Sequence, residues 1–164
     1  MYKSYLLLLP FLLFLHGSLI KADQAYSTIS GKVIKVKDGD TIELLVDGKP
    51  VTVRLEHVDC PEKKQPFGTA AKQFTAEKCF GKTVRLIHSN KYDRNGRLIG
   101  VVMTDSVTNL NKELVKQGYA WHFLKYSRDS SYSLLERTAR KLKRGLWNDN
   151  HPVAPWEWRK PKKK

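Results

Sequence analysis

The sequence predicts an α+β fold, a five-stranded Greek-key barrel of the OB type carrying three helices. Three observations lead there. Short stretches of alternating apolar residues recur between positions 29 and 58, punctuated by Asp-Gly pairs. One helical stripe then separates them from two further strand-like runs. Two more stretches with helical spacing follow, each ending near a glycine.

The elements follow in order. Residues 29–37 form the first strand, with Ile29, Val33, Ile34 and Val36 as apolar members, and stop at Asp38-Gly39. Residues 41–46 form the second and end at Asp47-Gly48, a strong two-residue hairpin signal. The third strand spans residues 50–58 through Val51, Val53, Leu55 and Val58. After a polar stretch, residues 67–80 read as a helix with Phe67, Ala70, Ala71 and Phe74 on one stripe and Gly81 as its stop. Strands at 83–88 and 97–104 flank a turn at Asn95-Gly96. Residues 109–118 make a second helix through Leu110, Leu114 and Val115. Residues 131–144 make a third, with Leu134, Leu135, Thr138, Ala139 and Leu142 expected inward.

The 164 residues fit one domain. Residues 1–22 are set apart as an expected signal peptide: Lys3 precedes an apolar run over 5–15, and Gly17, Ser18 and Ala22 follow. That run is shorter than the ~20 residues a membrane span needs. The expected domain is 23–159, followed by a basic, disordered tail at 160–164. The formal charge is +14, and losing Lys3 and Lys21 with the leader lowers it to +12. Such an excess attracts polyanions: nucleic acid, a membrane surface or an acidic polysaccharide. Cys60 and Cys79 suit either one disulfide or two buried thiols, and no metal-ligand spacing surrounds His57 or His88 to complete a zinc site.

Three clusters carry chemistry. Asp38-Gly39-Asp40-Thr41 has one aspartate more than a turn requires. The run from Arg54 through Glu56, Asp59 and Glu62 alternates on a strand and then ends in acids. A helix start capped by Asp59 is its competing structural reading. Asp93-Arg94-Asn95-Gly96-Arg97 reads alone as a hairpin turn. Together they supply carboxylate oxygens for a hard cation, planar guanidinium forks for phosphate and a glutamate for water. Trp121, Phe123 and Tyr126 suit base stacking, with burial of Trp121 and Phe123 as the alternative.

The strings Asp38-Gly39-Asp40-Thr41, Arg54-Leu55, Val58-Asp59-Cys60-Pro61-Glu62 and Asp93-Arg94-Asn95-Gly96-Arg97 resemble, in order and spacing, the staphylococcal nuclease family over residues 29–147. The stretch ending Pro155-Trp156-Glu157-Trp158-Arg159 is similar to the endings of secreted bacterial members. The resemblance implies calcium held by Asp40, Asp59 and the Cys60 backbone carbonyl. It implies catalysis by Glu62 as general base and by Arg54 and Arg97 on the phosphate, with Arg94 and Tyr126 at the substrate. In-line attack on phosphorus would leave a 5′-hydroxyl and a 3′-phosphate. Members commonly carry threonine where Cys60 stands, and the loop after Glu62 is shorter than in the best-known member. That member has lysine and tyrosine where Arg94 and Asn95 stand, and a second tyrosine at the place of Leu124. The expected protein is thus an exported, secreted or periplasmic, monomeric, calcium-dependent nuclease acting on DNA and RNA. Its competitors are an inactive nucleic-acid-binding barrel and a basic protein for anionic surfaces.

Overall fold

A computed structural model describes residues 25–161; the expected signal peptide and the last three lysines lie outside the described residues. Strands β1 (Ser27–Asp38), β2 (Thr41–Val46), β3 (Lys49–Leu55), β5 (Thr83–Tyr92) and β6 (Leu98–Met103) close a barrel in the order β1-β2-β3-β6-β5. All its pairs are antiparallel except β3 with β6. Closure depends on β1. Its first half pairs with β5 and its second half with β2, and register shifts at Val33/Lys35 and Val36/Asp38 bend the half paired with β2. The β2–β3 hairpin turns on Asp47 and Gly48, both at positive φ (49° and 75°), as a two-residue turn of this hand requires.

Inside the barrel, Val33, Ile42, Leu44, Val53, Leu86 and Val102 are fully buried. Burying each such side chain contributes about 1.5–3 kcal/mol. Helices α1 (Gly68–Cys79) and α2 (Leu110–Lys116) cover the barrel through Ala71 and Cys79 and through Leu110, Leu114 and Val115. Helix α3 (Ser130–Lys141) packs on α2. No helix among the described residues is long and apolar enough to cross a membrane.

The α+β barrel is as expected, with four local differences. The third strand stops at Leu55, because His57 takes a positive φ of 70° and breaks the pleat. Val58–Asp59 then starts a separate short strand, β4, paired with β7 (Trp121–His122). On α3 Tyr132 and Ala139 are buried and Leu135 packs partly buried on the core, whereas Thr138 is exposed and Leu134 and Leu142 are 58% and 53% exposed. The helix is rolled so that Tyr132 packs against the rings of His57 and His122. Beyond the expected helices the chain forms a 3₁₀ turn (Gly145–Asn148) and a short helix α4 (Pro155–Trp158). Cys60 and Cys79 are free, buried thiols.

Candidate active site

Asp40 is the last residue of the β1–β2 turn, where Asp38 and Asp40 divide two roles. Asp38 Oδ1 accepts the Asp40 amide (3.1 Å) and shapes the turn. The Asp40 carboxylate is left to point inward: Oδ2 accepts the Cys60 amide (2.7 Å) and Oδ1 accepts the Thr41 hydroxyl (3.3 Å). Cys60 follows β4, so this bond brings Asp59 alongside.

Arg54, near the end of β3, joins the two acids. Its Nη2 lies 3.0 Å from Asp40 Oδ2 and 2.8 Å from Asp59 Oδ1, and its Nη1 donates to the Leu55 carbonyl (2.8 Å). Both carboxylates are buried, Asp59 to 1% exposure. Burial would by itself favour neutral Arg54, but Asp40 and Asp59 outweigh it and hold the guanidinium pKa above its ordinary value. Burial, with the Asp40 charge adding to it, raises Asp59 against the pull of its two arginines. Asp38, behind them, is raised to about 6 by burial and by Asp40. The Cys60 thiol is pushed well up by burial and by Asp40, which keeps it protonated and unreactive.

Arg97 enters from the β5–β6 loop. Asp93 Oδ1 accepts the Asn95 and Arg97 amides (2.9 and 3.0 Å), which builds the turn. Its Oδ2 lies 2.7 Å from Arg97 Nε and 2.6 Å from Nη2. The remaining Nη1 donates to Thr41 Oγ1 (3.0 Å), so the hydroxyl of Thr41 links Arg97 to Asp40.

Glu62 stands on the loop between β4 and α1. Its amide donates to Gln65 Oε1 (3.1 Å), and its carbonyl accepts the Gln65 amide (2.8 Å). Helix α1 begins hard against this loop, since a Cβ on Gly68 would lie 1.9 Å from the Glu62 carbonyl oxygen. Phe67, just before the helix, is held at a positive φ of 66°.

One member of the site was not foreseen. Arg159, just past α4, places Nη2 2.7 Å from Asp59 Oδ2 and Nη1 2.6 Å from Glu62 Oε1. Burial alone would lower its pKa, but the bonds to Asp59 and Glu62 outweigh this and raise it. The string Trp156-Glu157-Trp158-Arg159 was visible in the sequence. It resembles a family ending, but a site role for its arginine is not legible there because the partners lie 97 and 100 positions upstream.

A connected chain thus runs Arg97, Thr41, Asp40, Arg54, Asp59, Arg159, Glu62, and it unites the five expected side chains. Arg94 is exposed on the β5–β6 turn, outside this chain. Tyr126 is 70% exposed and packs its edge on Phe123, 5.0 Å between centroids. Trp121 and Phe123 are half-buried against Trp156, and Phe123 stacks on it nearly parallel (8°). Trp147 is buried beside Trp121.

Among the described residues no three His, Cys, Asp or Glu side chains form a metal-holding group. The converging donors are the two carboxylates of Asp40 and Asp59. Oxygen donors at a buried, acid-rich spot fit a hard divalent cation, which completes its shell with backbone carbonyls, waters and phosphate.

Sequence similarity to known proteins points to one family. The sequence pattern of the family described as staphylococcal nuclease homologue matches residues 52–149. A protein described as an uncharacterized endonuclease in Escherichia coli O157:H7 is 41% identical over 131 residues, 80% of this chain and 85% of the relative. Protein ParB of Escherichia coli is 40% identical over 152 residues, covering 87% and 85% respectively. A micrococcal nuclease of Shigella flexneri is 35% identical over 155 residues, 88% of each chain.

Proposed function

The chain belongs to the staphylococcal nuclease homologue family and is a nuclease, and from that premise we propose a calcium-dependent phosphodiesterase that leaves 5′-hydroxyl and 3′-phosphate ends on DNA and RNA. The observation that carries this reading is the buried cluster in which Arg54 bridges Asp40 and Asp59, with Glu62 and Arg97 joined to it.

Asp40, Asp59 and the Cys60 carbonyl would hold the calcium ion, which supplies positive charge to the scissile phosphate when bound. Arg54 and Arg97 present planar forks to the non-bridging oxygens and stabilise the charge that grows on them. Each is held beside the site by a carboxylate, Arg54 by Asp40 and Asp59 and Arg97 by Asp93, and these pairings give way in part as cation and phosphate bind. Glu62 accepts a proton from the attacking water. The water oxygen bonds to phosphorus as the bond to the 5′ oxygen breaks, and that oxygen gains a proton. Arg94 and the exposed ring of Tyr126 contact the flanking nucleotides. The leader-like residues 1–22 support export to a periplasm or beyond, and the protein acts as a monomer.

The test is to incubate the purified protein with end-labelled single-stranded DNA and RNA, with calcium or with a calcium chelator, and to identify the product ends. Cleavage that needs calcium and leaves 3′-phosphates is expected. Full activity in the chelator would remove calcium from the mechanism. Tight binding without cleavage would favour an inactive binding barrel.

A further inference from the structure

The C-terminal segment closes a circuit around Glu62 that the mechanism above leaves unused. Gln65 is buried and bonded on both sides: its Oε1 accepts the Glu62 amide, and its Nε2 donates to the Val153 carbonyl (2.6 Å). From Val153 the chain runs through buried Ala154 and Pro155 into α4, where the Arg159 amide donates to the Pro155 carbonyl (3.0 Å). Trp156 fixes this strap to the body, stacked on Phe123 and edge-on to Trp121, both at 5.5 Å. Arg159 then reaches back to the Glu62 carboxylate, for which it is the hydrogen-bond partner among the described residues.

We propose that Arg159 is a positioning residue of the active centre, holding the Glu62 carboxylate in place from the strap; the idea rests on the nuclease reading. A glutamate on a loop has several rotamers, and a base must lie within hydrogen-bond reach of the water it activates. Arg159 fixes Oε1 and leaves Oε2 for that water. A guanidinium does not itself transfer protons at neutral pH, so its contribution is geometric and electrostatic. The fork spans both acids: Nη1 donates to Glu62 Oε1 at 2.6 Å and at longer range to Asp59 Oδ1 (3.3 Å), while Nη2 donates to Asp59 Oδ2 (2.7 Å). The hold on Glu62 therefore survives if Asp59 turns toward another partner. A lysine would keep the charge but not both contacts.

The experiment compares Arg159→Ala and Arg159→Lys with the unaltered protein in saturating calcium, on single-stranded DNA. Arg159→Ala should lower kcat by about ten- to a hundredfold, part of the ~10²–10⁴ that a general base supplies. KM should stay within about twofold, with the melting temperature little changed, and Arg159→Lys should recover part of the loss. An unchanged kcat would overturn the proposal, and so would a raised KM at constant kcat, which would make Arg159 a substrate contact. Hydrogen exchange of the amides of residues 62–65, 67 and 68 gives a readout free of activity. Faster exchange in Arg159→Ala supports the proposal and equal exchange overturns it, even if the unaltered protein proves not to cut nucleic acid.

Discussion

Asp38 and Asp40 stand two positions apart and have opposite relations to charge. Asp40 has Arg54 for a partner at 3.0 Å, whereas Asp38 is raised to about 6 by burial and by the Asp40 charge. A carboxyl whose folded pKa exceeds its ordinary value of 3.8 binds its proton more tightly in the folded state. Below about pH 4 both states carry the proton and nothing is lost. Stability then falls as pH rises through about 6, by up to about 3 kcal/mol from this group. Asp38→Asn keeps an oxygen to accept the Asp40 amide and removes the charge. In calcium-free urea titrations the variant should match the unaltered protein near pH 4 and be the more stable one above pH 6. A stability difference independent of pH would show that Asp38 is not ionising against Asp40. The doubled aspartates made this spot conspicuous in the sequence, since one alone satisfies the turn.

The β4–α1 loop shows how an element boundary positions a functional side chain. Helix α1 starts where a residue without a side chain can approach the Glu62 carbonyl, so Gly68 sets the distance between helix and loop. Gly68→Ala would force that peptide to move and should cost about 1–3 kcal/mol as overpacking. It should also lower kcat by more than about tenfold, because Glu62 moves with its backbone. Gly48→Ala serves as the contrast: it lies at φ 75° with open space around it, at the hairpin tip, the opposite end of β2 and β3 from Thr41 and Arg54. That variant should lose about 1 kcal/mol with kcat unchanged. Melting temperature and kcat measured on both variants separate the effects, and an unaltered kcat in Gly68→Ala would break the link between helix start and base. The turn residues of the hairpin were readable from Asp47-Gly48 alone. The glycine of α1 was not, because its neighbour is a carbonyl that only the folded loop brings close.

At the scale of the molecule, charge and site act through different terms. The site arginines are each paired with carboxylates, so the 30 lysines and arginines against 16 acids give a field set mainly by other cations. That field should attract the polyanion and set its affinity, while the buried cluster sets the chemistry. Raising salt at fixed calcium should therefore raise KM steeply. Each phosphate contact on a single strand contributes a slope of about −0.7 in log affinity against log salt. The value of kcat should move far less. A KM indifferent to salt would mean that phosphate contacts contribute little to binding.

The sequence by itself determined the barrel, its turns and the five side chains Asp40, Arg54, Asp59, Glu62 and Arg97. These are legible because strand alternation, Asp-Gly turns and acids in excess of turn needs are local signals. Tertiary structure alone decided the rest. His57 ended the third strand at Leu55 and not at Val58, through a backbone conformation that alternation does not reveal. Tyr132, packed against two histidine rings, rolled α3 so that Leu134 and Leu142 face outward while Leu135 and Ala139 stay inward. Arg159 joined the acids across about a hundred residues, because stacked aromatic rings and a buried glutamine bring the end of the chain back to the barrel. Such contacts depend on where the chain returns in space, and no pattern within a short window records that.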